Sequence, residues 1–195
     1  MGESGIVVAA LGDSITAGSP GWDPDPAHRP AAPDPESQYE YWAAKADPRL
    51  DFRNCGIYGQ RTDEIADRLE ACAEGGEVLV VQGGINDIAQ RRSVDDAAAN
   101  LARMVRRGRE LGLRVALANV LPWNNGYPGA DGEIRRLNAL IDEISRDEEV
   151  PVLRFYETLE DDARPGRMRE EWTSDGDHPS VEGYRRLGEL AFSVP

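Results

Sequence analysis

Short apolar runs alternate with longer amphipathic stretches along the whole chain, and this alternation constrains the fold more than any other feature. The first run, residues 5–11, is almost continuously apolar, as is typical of a strand covered on both faces. Further runs predict strands over 50–54, 77–82, 114–120 and 150–155. Between them, helices are predicted over 37–46, 61–73 with Thr62 as N-cap, 93–111, 133–145 and 181–191. The pattern favours an α/β fold with a mostly five-stranded parallel sheet flanked by helices.

The length of 195 residues is that of one ordinary domain, so we expect a single domain over residues 1–195. The longest apolar run, residues 6–11, is far too short to span a bilayer. The first residues also lack the basic and apolar regions of a signal peptide. We therefore expect a cytoplasmic location.

The chain is strongly acidic, with 36 Asp and Glu against 22 Lys and Arg and a net charge of −14. Such a chain repels phosphate backbones and anionic lipid surfaces. Neither nucleic acid nor a membrane is therefore an expected partner, and a small molecule is favoured.

The two cysteines, Cys55 and Cys72, show a spacing that matches no zinc or redox motif. Cys72 falls in register with Ile65 and Leu69 on a helical face. Both are predicted to be buried free thiols.

Candidate functional residues follow the predicted strands, where the carboxyl edge of a parallel sheet binds ligands. Ser14 comes directly after the first strand, between Gly12 and Gly18, although a serine there also fits the N-cap of a helix. Asn86 follows the third strand in the segment 83–87. Glycine N–H groups and an Asn amide are the usual parts of an oxyanion hole.

Histidine is scarce, and only His28 and His178 occur. Asp175 precedes His178 by three residues, which is close enough for its carboxylate to reach the ring and fix its tautomer. A surface turn is the alternative interpretation of this motif when it is taken alone.

Four segments in order resemble the blocks of the GDSL, or SGNH, hydrolase family. They are Gly12-Asp13-Ser14-Ile15, with isoleucine where leucine is common; Asn54-x-Gly56-x-x-Gly59; Gly84-Ile85-Asn86-Asp87; and Asp175-x-x-His178-Pro179. The resemblance spans residues 5–191. It implies a flavodoxin-like three-layer α/β/α sandwich.

The resemblance also implies roles for single residues. Ser14 would be the nucleophile, His178 its general base, and Asp175 the partner of His178. The backbone N–H groups of Ser14 and Gly59 and the side chain of Asn86 would form the oxyanion hole. No metal or organic cofactor is expected.

The activity implied is that of a serine esterase acting on small carboxylic esters, with short acyl chains favoured because no acyl-binding cap is evident. Alternatives within the family are a carbohydrate O-acetylesterase, a lysophospholipase and a thioesterase. Trp123 and Tyr127 follow the fourth strand, where they would bind a sugar or an aromatic ester, or else pack structurally. The proline-rich segment 20–35 would form a lid over the substrate or an exposed connection.

Two other classes of protein remain as alternatives. One is a metal-dependent hydrolase that binds a cation through Asp175, Asp177 and His178, with Asp13 or Asp87. The other is a non-catalytic binding module of the same fold. An intact Ser, His and Asp set argues against the second.

Overall fold

The computed structural model describes residues 5–18 and 34–195, and in them five parallel strands form one sheet in the order β2-β1-β3-β4-β5. The strands are β1 (Ile6–Gly12), β2 (Leu50–Gly56), β3 (Val78–Val81), β4 (Arg114–Ala118) and β5 (Val152–Leu153). The five predicted strands are confirmed, although β5 is much shorter than its apolar run. The alternation of apolar and amphipathic segments therefore predicted the fold class correctly.

Helices connect the strands and cover the sheet. In the described residues they are α1 (Ser14–Ala17), α2 (Tyr39–Ala46), α3 (Thr62–Ala66), α4 (Leu69–Ala73), α5 (Ile85–Ala89), α6 (Val94–Glu110), α7 (Ala130–Glu148), α8 (Phe155–Leu159) and α9 (Val181–Arg186). The long helices α6 and α7 present one apolar stripe each to the sheet. Ser93 caps α6 through a hydrogen bond from the Asp96 N–H to its Oγ.

Two hydrophobic clusters lie on opposite faces of the sheet, because successive side chains of a strand point in opposite directions. On β1, Ala9 and Leu11 face the cluster with α3 to α7, whereas Val8 and Ala10 face the cluster with α2, α8 and α9. All four side chains are fully buried. The result is the three-layer α/β/α sandwich that the resemblance implied.

The helix predicted over 61–73 is wrong in detail, since α3 ends at Ala66 and α4 begins at Leu69. Arg61, not Thr62, occupies the N-cap position, and the Thr62 hydroxyl instead donates to Asp87. The interruption places Arg68 at the start of α4, where its guanidinium donates to groups of the neighbouring strands. These tertiary hydrogen bonds override the weak intrinsic preference for one continuous helix.

Cys55 and Cys72 form a disulfide, so the prediction of two free thiols is wrong. The bond joins the end of β2 to α4. Spacing in sequence did not reveal the pair because the break between α3 and α4 sets where Cys72 lies. The disulfide fixes α4 beside the carboxyl edge of the sheet.

Two smaller features were also absent from the sequence prediction. A hairpin of β6 (Glu160–Asp161) and β7 (Arg164–Met168) follows α8. The predicted last helix stops being regular at Arg186 and continues as a π-helical turn, Leu187–Ala191.

Most of the proline-rich segment, with His28, lies outside the described residues, and only Asp34 and Pro35 of it are described. A bilayer-crossing helix would need a long apolar stretch, and none of the described helices has one.

Candidate active site

Ser14 lies at the carboxyl end of β1, where it is the first residue of α1. The N-cap is Asp13, whose Oδ1 accepts a hydrogen bond of 2.9 Å from the Ile15 N–H, so the helix does not need Ser14 as its cap. The Ser14 hydroxyl is therefore available for chemistry. Only 6% of the residue is exposed, in a pocket at the edge of the sheet.

His178 contacts both of the residues with which the sequence grouped it. Its Nε2 lies 3.1 Å from Ser14 Oγ, and its Nδ1 lies 2.8 Å from Asp175 Oδ2. Because an ionised carboxylate only accepts hydrogen bonds, Asp175 favours the proton on Nδ1. This tautomer leaves the Nε2 lone pair directed at the Ser14 hydroxyl, as a general base requires.

The carboxylate of Asp175 is held by backbone groups as well as by the ring. Its Oδ1 accepts from the N–H groups of Asp177 and His178 at 2.8 and 2.7 Å. Burial raises the pKa of Asp175, but the hydrogen bonds from His178 and these N–H groups lower it by more. The pKa therefore lies below its usual value. The carboxylate is thus stabilised in its charged form.

The three predicted oxyanion donors line the same pocket as His178. Ser14 begins its helix, so its N–H is free of the helical ladder. The Gly59 N–H has no acceptor among the described residues, and Gly59 adopts a φ of +75°, which strongly favours glycine. One N–H of the Asn86 amide donates to the Gln60 carbonyl at 3.0 Å, and the other remains for a ligand.

A close backbone approach brings the start of α1, which contains Ser14, against the end of β2. A Cβ on Gly56 would collide with the backbone N of Ala17, so only glycine allows α1 to pack on the end of β2. Asn54 secures the same contact, since its Nδ2 donates to the Thr16 carbonyl and its Oδ1 accepts from the Gly56 N–H. Both residues belong to the second sequence block.

Gln82, the residue after β3, is a site residue that the sequence analysis missed. It is buried, and its Oε1 accepts from the Asp13 N–H at 3.1 Å and from the Thr16 hydroxyl at 3.0 Å. These bonds fix the peptide that precedes Ser14. The sequence did contain one indication of this role, since Gln82 is a polar residue at the end of an apolar run.

The pocket has a volume of about 220 Å³. It is lined by Ser14, Ile15, Tyr58, Gly59, Ile85, Asn86, Ala89, Trp123, Asp177 and His178. The apolar members suit an acyl or alkyl group, whereas Asp177 adds a carboxylate that the sequence analysis did not assign to substrate binding.

Trp123 is on the wall of the pocket, as the position of its loop predicted, and it is bonded to the segment that carries His178. Its Nε1 donates to Asp177 Oδ1 at 2.6 Å. The neighbouring Asn125 donates to the same atom at 2.8 Å and to the Asp175 carbonyl at 2.7 Å. The Asn124 N–H also donates to the Gly176 carbonyl. The loop after β4 therefore supports the segment 175–178.

Tyr127, predicted beside Trp123, is not among the residues that line this pocket. Its hydroxyl donates to Glu133 Oε2 at 2.8 Å and lies 3.2 Å from the Ile88 carbonyl oxygen. The guanidinium of Arg91 lies 3.2 Å from the centre of its ring. The ring also packs edge-on against Trp123. Tyr127 thus supports Trp123 from behind, which was the structural alternative stated for it.

Two buried carboxyl groups directly adjoin site residues in the sequence, Asp13 beside Ser14 and Asp87 beside Asn86. Burial raises the pKa of Asp13 to about 6, although the hydrogen bond from Ile15 and the nearby His178 ring act in the opposite direction. Burial likewise raises the pKa of Asp87, which accepts two hydrogen bonds from Thr62. Within residues 5–18 and 34–195, no group of three His, Cys, Asp or Glu side chains is arranged to hold a metal ion.

Comparison with known protein families gives a match over most of the chain. The sequence model of the GDSL-like Lipase/Acylhydrolase family matches residues 10–186. No curated protein matches the sequence.

Several solved structures share the fold at low sequence identity. A G-D-S-L family protein from Desulfitobacterium hafniense DCB-2 is 22% identical, with a TM-score of 0.78 and coverage of 94% of this chain and 95% of that one. A lipase/acylhydrolase from Enterococcus faecalis is 24% identical, with a TM-score of 0.71 and coverage of 95% and 92%. An acetylxylan esterase from Geobacillus stearothermophilus is 19% identical, with a TM-score of 0.72 and coverage of 95% and 91%.

Proposed function

This chain belongs to the GDSL-like lipase/acylhydrolase family, and from that membership we propose that it is a serine esterase that hydrolyses small carboxylic esters through an acyl-enzyme on Ser14. The observation that carries the proposal is the unbroken series of contacts from Asp175 through His178 to Ser14. A nucleophile, a base and a residue that orients the base are the elements of nucleophilic acyl transfer.

In the first half of the reaction, Ser14 Oγ attacks the ester carbonyl while His178 Nε2 takes its proton. The charge that develops on the carbonyl oxygen is stabilised by the N–H groups of Ser14 and Gly59 and by the Asn86 amide. The tetrahedral intermediate collapses when the alcohol leaves with the proton from His178. Asp175 stabilises the imidazolium formed in between.

In the second half, water takes the place of the alcohol. His178 removes a proton from the water, which attacks the acyl carbon on Ser14, and the same donors stabilise the second oxyanion. The bond between the acyl carbon and Ser14 Oγ breaks, and the hydroxyl regains its proton from His178. The carboxylic acid then leaves, and no step requires a metal or organic cofactor.

A carbohydrate O-acetylesterase is the specific form of this activity that the pocket favours. Asp177 Oδ1 is bonded to Trp123 and Asn125, whereas Oδ2 has no partner among the described residues. A carboxylate oxygen beside an indole ring suits the hydroxyl groups and the apolar faces of a sugar. An acetylxylan esterase is also among the proteins that share the fold.

Lysophospholipids and acyl-CoA thioesters, the substrates of the other two alternatives, carry phosphate groups. Asp177 in the pocket and a net charge of −14 repel such groups. A volume of about 220 Å³ is also small for a long acyl chain. We therefore propose that neutral esters are hydrolysed in preference to anionic ones, and we propose neither nucleic acid nor a membrane as a partner.

The cytoplasmic location remains a prediction, and the Cys55–Cys72 disulfide weighs against it, because structural disulfides are rare in reducing compartments. Thiol labelling of the protein with and without prior reduction, after extraction from its native cells, would measure the redox state of this pair.

The test of the proposed function is reaction with a fluorophosphonate together with hydrolysis of an ester panel. The panel contains p-nitrophenyl esters, acetylated xylose, an acyl-CoA and a lysophospholipid. Ser14→Ala should abolish both labelling and turnover, whereas Ser145→Ala, which removes a hydroxyl bonded only to the Val150 carbonyl, should keep both. Loss of activity in EDTA without fluorophosphonate labelling would instead support the metal-dependent alternative. A folded wild-type protein inert in every assay would support a binding module.

A further inference from the structure

We propose that Arg68 is a positioning residue of the oxyanion hole. Its guanidinium keeps the three chain segments that carry the oxyanion donors in fixed positions relative to one another. The inference rests on the proposed function of those donors. It concerns an arginine that contacts neither the pocket nor any residue of the Ser14, His178 and Asp175 set.

The guanidinium of Arg68 makes three hydrogen bonds to three different parts of the chain. Nη2 donates to the Gly12 carbonyl at 3.1 Å, Nη1 to the Cys55 carbonyl at 2.6 Å, and Nε to Gln60 Oε1 at 2.8 Å. The first two acceptors are the carboxyl ends of β1 and β2. One planar group thus joins adjacent strands just before each enters the site.

The bond to Gly12 acts on the peptide that leads to Ser14. The same carbonyl also accepts from the Ile57 N–H at 3.1 Å, and the N–H at the other end of this peptide donates to Gln82. The peptide between Gly12 and Asp13 is therefore held at both ends. Its orientation sets that of the next N–H along the chain, which belongs to Ser14.

The bond to Gln60 acts on the other two donors. Gln60 directly follows Gly59, and its backbone carbonyl accepts the Asn86 amide at 3.0 Å. A shift of Gln60 would therefore move the Gly59 N–H and release the Asn86 side chain together. Gly59 adopts a φ of +75°, and, beyond its two chain neighbours, no atom of the described residues lies within 4 Å of the position a Cβ would take, so no side-chain packing at this residue holds the loop in place.

The electrostatic setting of Arg68 differs from that of the surface arginines. It forms no ion pair with a carboxylate among the described residues, and partial burial lowers the pKa of its guanidinium. Removing a charge from water without an ion-pair partner is unfavourable. The planar fork of an arginine can meet three oxygen acceptors in fixed directions, which a lysine cannot do.

The experiment compares Arg68→Ala, Arg68→Lys and the control Arg53→Ala. Arg53 also donates to backbone carbonyls, those of Cys72 and Glu74 at the far end of α4, but it does not contact the site segments. We expect Arg68→Ala to lower kcat by roughly 10–100-fold, since small misplacements of catalytic groups have effects of this size. KM should change by less than about threefold, because the substrate pocket itself is intact. Arg68→Lys should retain more activity than Arg68→Ala, and Arg53→Ala should keep the wild-type kcat.

A double-mutant cycle with Asn86→Ala separates positioning from a merely structural role. If Arg68 acts through the oxyanion hole, the two substitutions together should cost less than the product of their separate effects on kcat. If the double variant loses kcat by the full product of the two separate fold-losses, the proposal is overturned. A wild-type kcat for Arg68→Ala also overturns it. If Arg68→Ala does not fold, Arg68→Lys and Gln60→Ala decide the matter, and a wild-type kcat in both overturns the proposal.

The rate of fluorophosphonate labelling keeps this inference apart from the proposed function. Absence of labelling in the wild-type protein means that the serine esterase proposal has failed. Labelling of the wild type, with Arg68→Ala labelled at the same rate, means that only the role of Arg68 has failed. Slower labelling of Arg68→Ala supports both.

Discussion

The carboxylate of Asp175 binds His178 at two points, with one oxygen on the ring Nδ1 and the other on the backbone N–H of the same residue. The side chain of His178 is thus fixed relative to its own main chain. In the proposed reaction, the orientation of His178 as base and the stabilisation of its positive charge both depend on this single carboxylate.

Replacing Asp175 by Asn should therefore lower kcat sharply. The Asn amide can present a donor to Nδ1, which favours the tautomer with the proton on Nε2 and removes the base from Ser14. We expect a loss of roughly 10²–10⁴ in kcat, by analogy with other Ser-His-Asp sites. Steady-state kinetics with a p-nitrophenyl ester would measure it. Retention of more than a tenth of the activity would contradict the role of Asp175, and Asp162→Asn, an almost fully exposed carboxylate, is the control.

Asn86→Ala should lower kcat by roughly 10²–10³ with a smaller effect on KM, because the amide is proposed to contact the oxyanion more strongly than the ground-state carbonyl. Asn100→Ala is a matched control, since this amide donates to the Thr62 hydroxyl outside the pocket. A loss that falls mainly on KM in Asn86→Ala would mean that the residue binds substrate or only holds the loop.

Asp13 should make the protein less stable as the pH rises. Its pKa is 3.8 as an ordinary carboxyl and about 6 in the fold, so the folded state binds more protons between these values. The stabilisation that the protonated, neutral Asp13 gives to the folded state is fully present below the unfolded pKa. It is lost as the pH rises through about 6. A shift of this size corresponds to about 3 kcal/mol.

The substitution Asp13→Asn removes this titration. The free energy of unfolding of the variant, relative to the wild type, should therefore increase from pH 4 to pH 8. Urea unfolding at both pH values would measure the difference. If the difference does not depend on pH, Asp13 is not the group responsible.

Removal of the Cys55–Cys72 disulfide should destabilise the protein. The two cysteines are 17 residues apart, and closure of a loop of this length stabilises a fold by about 3 kcal/mol. For a chain of this size, that corresponds to a fall in Tm of roughly 6–12 °C. Calorimetry with and without a phosphine reductant would test this, with Cys55→Ala/Cys72→Ala as the control that the reductant must leave unchanged. A wild-type Tm insensitive to complete reduction would refute the expectation.

Short acyl chains should be preferred, because a pocket of about 220 Å³ is small for a long acyl chain. Acetyl and butyryl p-nitrophenyl esters should exceed the decanoyl ester in kcat/KM. A rise with chain length would show that an apolar groove exists outside the pocket described.

The strand pattern placed Ser14 and Asn86 at one edge of the sheet, and the resemblance to the GDSL family added His178 to the same site. Each follows a strand or lies shortly before the last helix, and a parallel sheet brings the carboxyl ends of its strands to one edge. The strand pattern thus predicted the fold and the edge at which the site lies, and the resemblance supplied its membership.

Residues whose roles depend on distant contacts were not predictable in this way. Arg68 lies among the charged residues of an amphipathic segment, where arginine is ordinarily exposed, and its acceptors are 8, 13 and 56 positions away. The disulfide was not predictable either, because the position of Cys72 depends on the break between α3 and α4. Tyr127 follows the right strand, but its ring turns toward Arg91 and Ile88, away from the pocket.

The bonds from Trp123 and Asn125 to the segment 175–178 bear on how such an enzyme can diversify. Under the proposed function, the wall that would select a substrate also supports His178, the proposed base. A substitution that widens the pocket at Trp123 removes a bond to Asp177 and loosens the neighbouring His178. A new substrate range in this protein would therefore require paired substitutions, one that reshapes the wall and another that restores support to His178. The effect of each substitution would depend on the other, so evolution along this route would be epistatic.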